Sequence, residues 1–116
     1  MYPRLAQIVI DCADPASLAR FWARLLGGTA VDRARGWSHV EPPGFPRISF
    51  QPVRDARTGK NRLHLDIQVP PGRVADAAAT ALGLGARMIG VQTTDEQGTF
   101  QVMADPEGNE FCLLSG

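Results

Sequence analysis

His64 and Asp66 are the pair in this chain best suited to chemistry. They lie in Leu63-His64-Leu65-Asp66-Ile67-Gln68-Val69, where apolar and polar residues alternate. On a strand that spacing puts both polar side chains, and Gln68 with them, on one face. An imidazole titrates near neutrality and can take or give a proton, while a carboxylate beside it can orient it or accept from a substrate. The plainer alternative is a histidine that orders its neighbours and an aspartate held by an arginine or a backbone N–H. Asp11 closes the first apolar run as either a solvated strand-end charge or a ligand contact. Glu110 shares a face with Cys112 near the end of the chain and has the same two readings. Cys112 reads as a small buried hydrophobe unless a positive charge lowers its thiol pKa, and no basic residue stands beside it. Trp37, Phe45 and Phe100 fall on short strands or turns, where aromatic rings can wall a ligand cavity. Arg54, Arg57, Lys60 and Arg62 make a basic stretch, either a solvated linker or a means of steering a small anion.

The elements that must carry these residues come twice. Gln7 to Cys12 is an apolar, strand-like run. Asp14-Pro15 then supplies an N-cap oxygen and a residue suited to the first helical position. Leu18, Phe21, Trp22 and Leu25 repeat at helical spacing, and Gly27-Gly28 ends the helix. Short strands are expected near 29–32, 37–41 and 47–53, divided by Arg35-Gly36 and Pro42-Pro43-Gly44. In the last of these Ile48 and Phe50 point one way, Ser49 and Gln51 the other. The second half repeats the order. A strand over 63–69 is followed by a helix with Val74, Ala77, Ala78, Ala81 and Leu82 on one stripe. Strands near 86–92, 99–104 and 110–114 complete it. Each half reads β-α-β-β-β. The chain is one α+β domain, with module one about 1–56 and module two about 57–116.

Composition narrows the function classes. The 116 residues hold 44% apolar residues, enough for a core, and twelve basic residues balance twelve acidic ones. No global field draws in nucleic acid or an anionic membrane. No apolar run has transmembrane length, and the first residues lack the apolar core of a secretory signal. Two cysteines without a CxxC pattern argue for neither a disulfide scaffold nor a zinc cage. A cytoplasmic protein with reduced thiols is the expectation. There is no GxGxxG, Walker loop, HExxH or GxSxG.

Three stretches resemble the vicinal oxygen chelate superfamily (glyoxalase/bleomycin resistance/dioxygenase), in its small glyoxalase-like branch. They are Asp14-Pro15 with Leu18, Phe21, Trp22 and Leu25-Leu26-Gly27, then Asn61-Arg62-Leu63-His64-Leu65-Asp66, then Asp105-Pro106-Glu107-Gly108-Asn109-Glu110-Phe111-Cys112-Leu113. The resemblance implies paired βαβββ modules whose mixed sheets curl into a half-barrel, with helices on the outer face. In metal-dependent members, ligands project from the first and last strands of each module. Carried onto this chain, those positions are Gln7, His64 and Cys112, with Ser49 or Gln51 for the last strand of module one. Only His64 is a strong ligand for a borderline divalent ion.

Two functions follow as expectations. One is a binding module without catalytic metal or other cofactor, enclosing a small organic ligand among Gln7, Asp11, Trp37, Phe45, Ser49, Gln51, Gln68, Phe100 and Glu110. The other is a metal-dependent lyase, isomerase or dioxygenase-type enzyme acting on a small carbonyl or oxygenated compound. There a divalent ion on Gln7, His64 and Cys112 would polarise the substrate, and His64 or Asp66 would move the proton. Exposed sheet edges point to a homodimer.

Overall fold

The computed structural model of the chain describes residues 4–54, 63–96 and 98–115. It divides into two compact units, Met1–Thr58 and Gly59–Gly116. The basic positions Arg57, Lys60 and Arg62 lie outside the described residues. Among the described residues, no helix is long and apolar enough to cross a membrane.

The first unit contains β1 (Gln7–Cys12), α1 (Pro15–Leu26), β2 (Ala30–Asp32), β3 (Ser38–Val40) and β4 (Arg47–Pro52). Its sheet has the order β1-β4-β3-β2, with β1 parallel to β4 and the other pairs antiparallel. A parallel pair needs a long crossover, and α1 lies within it. The helix starts where the sequence predicts. The Asp14 carboxylate accepts from the Ser17 N–H at 3.2 Å, and Pro15 is the first helical residue. Leu18, Phe21 and Trp22 are buried, with the Phe21 and Trp22 rings edge to face at 5.2 Å. Such a pair adds to its area burial by about 1 kcal/mol. Arg20 on α1 reaches the Asp32 carboxylate with two hydrogen bonds, and the Ser38 hydroxyl donates to the same group at 2.9 Å. Ser38 lies opposite Phe50 in the ladder. Asp32, Ser38, Ile48 and Phe50 therefore mark the helix face of the sheet, and Val31, His39, Ser49 and Gln51 point away from it.

The second unit contains β5 (Leu65–Gln68), α2 (Val74–Gly83), β6 (Arg87–Asp95), β7 (Gly98–Ala104) and β8 (Glu110–Ser115). The sheet order is β5-β8-β7-β6, again with one parallel pair. The β-α-β-β-β order expected for each half is thus found in both units, each with a mixed four-stranded sheet. Val74, Ala78 and Ala81 are buried on α2, whereas Leu82 is exposed and leaves the expected stripe. β6 extends past the expected end to Asp95, with a break in register between Ile89 and Thr93 around Gly90 (φ 74°).

Asp105-Pro106-Glu107-Gly108-Asn109 is a turn built around a carboxylate. Asp105 is almost wholly buried and accepts from the Glu107 and Asn109 backbone N–H groups, each at 2.9 Å. The Asn109 side chain donates to both its oxygens. Removing a buried charged acceptor leaves several donors desolvated, at a cost of about 1–3 kcal/mol. Asp105→Ala is expected to lower stability by at least about 2 kcal/mol in urea denaturation, and Glu107→Ala by less than about 0.5 kcal/mol. Equal losses would show that the carboxylate does not organise the turn.

Candidate functional site

In the first unit a polar row crosses the sheet on the face away from α1. Gln7 starts β1, Ser49 lies in the middle of β4, and His39 lies opposite Ser49 on β3. The Ser49 hydroxyl, 0% exposed, donates to Gln7 Oε1 at 2.6 Å. His39 is 8% exposed, and its Nδ1 has no hydrogen-bond partner among the described residues. Burial pushes the imidazole pKa below its ordinary value, and the nearby Arg47 and Arg33 push it the same way against Glu41. His39 therefore favours the neutral form. Sequence reasoning missed it, because β3 is three buried residues long and shows no alternation.

A depression of about 370 Å³ adjoins this row, lined by Gln7, Arg33, Ala34, Arg35 and Trp37. That is the lower end of the range for small-molecule sites, about 300–1,000 Å³. Its wall is a tight turn. The Arg33 N–H bonds the Trp37 carbonyl at 2.8 Å, and Arg35 takes a left-handed backbone (φ 63°, ψ 24°). Trp37 is one of the lining residues. Phe45 sits at the β3–β4 turn, 53% exposed. Gln51 pairs with Asp11 toward the end of the β1–β4 ladder, with Asp11 exposed and Gln51 half-buried.

In the second unit His64 and Asp66 do meet. His64 Nδ1 and Asp66 Oδ1 are 2.8 Å apart, on side chains 57% and 53% exposed. His64 stands one residue before β5 rather than inside it. Asp66 lies opposite Cys112 on β8. Burial raises the Cys112 thiol pKa, and the Asp66 charge adds to this. The thiol is therefore held neutral. Phe100 is half-buried opposite Leu114, Gln68 is exposed and donates to the Val69 carbonyl, and Glu110 is half-buried opposite Ala104. A smaller depression, about 90 Å³, lies elsewhere in this unit between Val74, Ala75, Gln92, Thr99 and Ser115. None of the predicted site residues lines it.

The ladders also settle an open register. Val9 pairs with Ser49 in the first unit as Asp66 pairs with Cys112 in the second, so Ser49 rather than Gln51 occupies the place of Cys112.

Two β-α-β-β-β units with mixed sheets are the architecture of the glyoxalase/bleomycin resistance/dioxygenase class, and solved structures of that class superpose on the chain. One is an enzyme of that family from Burkholderia phytofirmans PsJN, at 18% identity, 95% of this chain, 96% of that one and TM-score 0.81. Another is the fosfomycin resistance protein FosX from Listeria monocytogenes, at 16% identity, 100% and 95% coverage and TM-score 0.81. A variant of that protein, solved with Mn(II) and 1S,2S-dihydroxypropylphosphonic acid, gives 17% identity, 100% and 92% coverage and TM-score 0.80. At these identities the likeness shows the fold alone. The chain belongs to the glyoxalase-like domain family, whose model matches residues 7–114. None of the curated proteins compared with it matches.

The donors here do not fit a divalent ion. Gln7 and Ser49 offer only a neutral amide and a hydroxyl, bonded to each other, and of the positions carried onto this chain only His64 is a strong donor. Among the described residues no three His, Cys, Asp or Glu side chains are grouped to hold a metal. Borderline ions need several imidazole, thiolate or carboxylate donors.

The lowered pKa of His39 makes a pH prediction. The unfolded chain binds the proton more readily than the folded one, so stability rises with pH across the interval between the two values. This contribution is complete above the unfolded value near 6.5 and is lost as pH falls below it. Asp32, lowered by Arg20 and Ser38, loses its contribution at lower pH, in and below the carboxylate range. The urea midpoint is expected to fall between about pH 7 and pH 5, and His39→Gln to flatten that slope. An unchanged slope in the variant would remove His39 as its source.

Proposed function

We propose that this glyoxalase-like domain, covering both modules, binds or sequesters a small organic molecule without a catalytic metal. The observation that carries this reading is the depression beside the Gln7–Ser49 pair, walled by Trp37. An aromatic wall with a few fixed polar groups suits a small organic ligand. Gln7, Ser49 and Trp37 make the first contacts on this reading. Asp11, Gln51, Phe45, Gln68, Phe100 and Glu110 remain secondary candidates. Nucleic acid and membrane are not partners, since the formal charge is zero and no basic face dominates the composition. We place the protein in the cytoplasm, in keeping with a sequence whose two cysteines form no CxxC pattern.

The second reading is a metal-dependent lyase, isomerase or dioxygenase-type enzyme. Its support is the Mn(II)-bound neighbour and the His64–Asp66 contact, which is well placed to move a proton. We also propose a homodimer. β6 is an outer strand with Met88, Ile89 and Val91 exposed, and exposed apolar edges invite pairing. Light scattering on the purified chain should then give twice the mass of one chain, and a single-chain mass would remove the dimer.

Metal analysis of untagged protein separates the two functions. The binder predicts well under one ion per chain and no thermal shift with Mn(II), Ni(II) or Zn(II). It also predicts upward shifts with members of a small-molecule panel. One ion per chain, lost in His64→Ala, would establish the metalloenzyme instead.

A further inference from the structure

We infer that the turn Arg33-Ala34-Arg35-Gly36-Trp37 is an oxyanion-binding site: it takes a small molecule with a carboxylate or phosphoryl group on an aromatic or flat apolar body. This rests on the proposed ligand-binding function and names the class of ligand. Three observations converge on it.

The first is unneutralised charge. Arg33 and Arg35 both line the depression, and neither pairs with a carboxylate among the described residues. Arg20, Arg47 and Arg73 each have an acidic partner. Two exposed guanidiniums without a carboxylate partner among the described residues, over one depression, present forked donors matched to carboxylate and phosphoryl oxygens. The second is backbone conformation. Arg35 is the one non-glycine residue with positive φ among the described residues. Gly36 follows at φ 80°. A left-handed arginine costs free energy that glycine would not, and such outliers gather at ligand sites. The third is the neighbouring imidazole. His39 is more than nine-tenths buried, its Nδ1 has no hydrogen-bond partner among the described residues, and burial first, then the charge of Arg47 and of Arg33, lower its pKa. A bound anion would offset that charge and draw the ring toward protonation. Trp37 supplies the flat wall for the body of the ligand, and the Gln7 amide a neutral contact at the rim.

The probes are benzoate, phenylphosphonate, benzyl alcohol and benzylamine, followed by titration calorimetry and by Trp fluorescence. Trp22 is buried in the core, so Trp37→Phe assigns the optical signal. Benzoate and phenylphosphonate should bind, weaken as salt is added and raise the His39 pKa seen by NMR. Benzylamine should not bind. Arg33→Gln and Arg35→Gly should each weaken the anions about tenfold or more. Glycine adopts the Arg35 backbone freely, so that variant removes the guanidinium and keeps the turn. Arg35→Lys should retain part of the affinity. Unchanged anion binding in Arg33→Gln and Arg35→Gly would overturn the site. Benzyl alcohol binding as tightly as benzoate would overturn the anion preference and leave the small-molecule function standing. If all four probes fail while a compound from the thermal-shift panel binds, the inference falls alone. If nothing binds by either method, both fall.

Discussion

The register of one parallel strand pair decides what the first unit can do. β1 and β4 are joined through α1, β2 and β3, and their ladder sets Val9 opposite Ser49. Side chains alternate along a strand, so slipping that ladder by one residue would turn Ser49 toward the helix and Ile48 away from it. Ile48 and Phe50 are 0% exposed, and expelling them would forfeit about 1.5–3 kcal/mol each. The apolar face of β4 therefore fixes the polar face. Ser49 reaches Gln7, His39 lies beside Ser49, and the Arg33–Trp37 turn stands over the end of the row as a consequence of packing on the other side of the sheet.

Burial then makes that polar row consequential. A hydroxyl with no exposed surface must find a partner, and Ser49 finds the Gln7 amide at 2.6 Å. A ring nitrogen in the same position without a partner costs about 1–3 kcal/mol. His39 tolerates this by remaining neutral, which the guanidiniums of Arg33 and Arg47 reinforce. Arg47 is paired with Glu41, whereas Arg33 and Arg35 have no carboxylate partner among the described residues. A neutral imidazole beside uncompensated cations is a site whose electrostatics an anion would complete, and a divalent cation would be repelled from it.

Sequence carried the architecture because the strongest local signals agree with the tertiary packing. Asp14 and Pro15 start α1, Leu18, Phe21 and Trp22 bury its face, and Asp105 to Asn109 form a turn whose residue types state its hydrogen bonds. The Leu65–Gln68 alternation is equally plain. The site was only partly legible. His64, Asp66, Gln7, Ser49 and Trp37 stood out by type and position. His39 did not, because Ser38, His39 and Val40 are all buried and a three-residue strand has no period to read. Arg35 looked like one half of a turn signal, and nothing local distinguishes a left-handed arginine from an ordinary one. Leu82 erred the other way. Its apolar character suggested a contact that the small α2 face does not supply.

The weight of the chemistry shifts between units for a dielectric reason. His64 and Asp66 make a short contact, but both side chains are more than half exposed. In water-like surroundings such a pair is screened and contributes at most about 1 kcal/mol, so it orients the imidazole weakly. Cys112, across the ladder from Asp66, is held protonated and adds no nucleophile. The groups of the first unit are less solvated, and interactions between fixed dipoles and charges strengthen as water is excluded. Ser49 and His39 are held on backbone strands inside such a region, with Arg33 and Arg35 at its edge. Selective recognition needs groups that are already oriented and already desolvated. In the first unit Ser49 and His39 meet both conditions and the exposed Arg33 and Arg35 add charge at the rim, whereas both members of the histidine–aspartate pair are solvated.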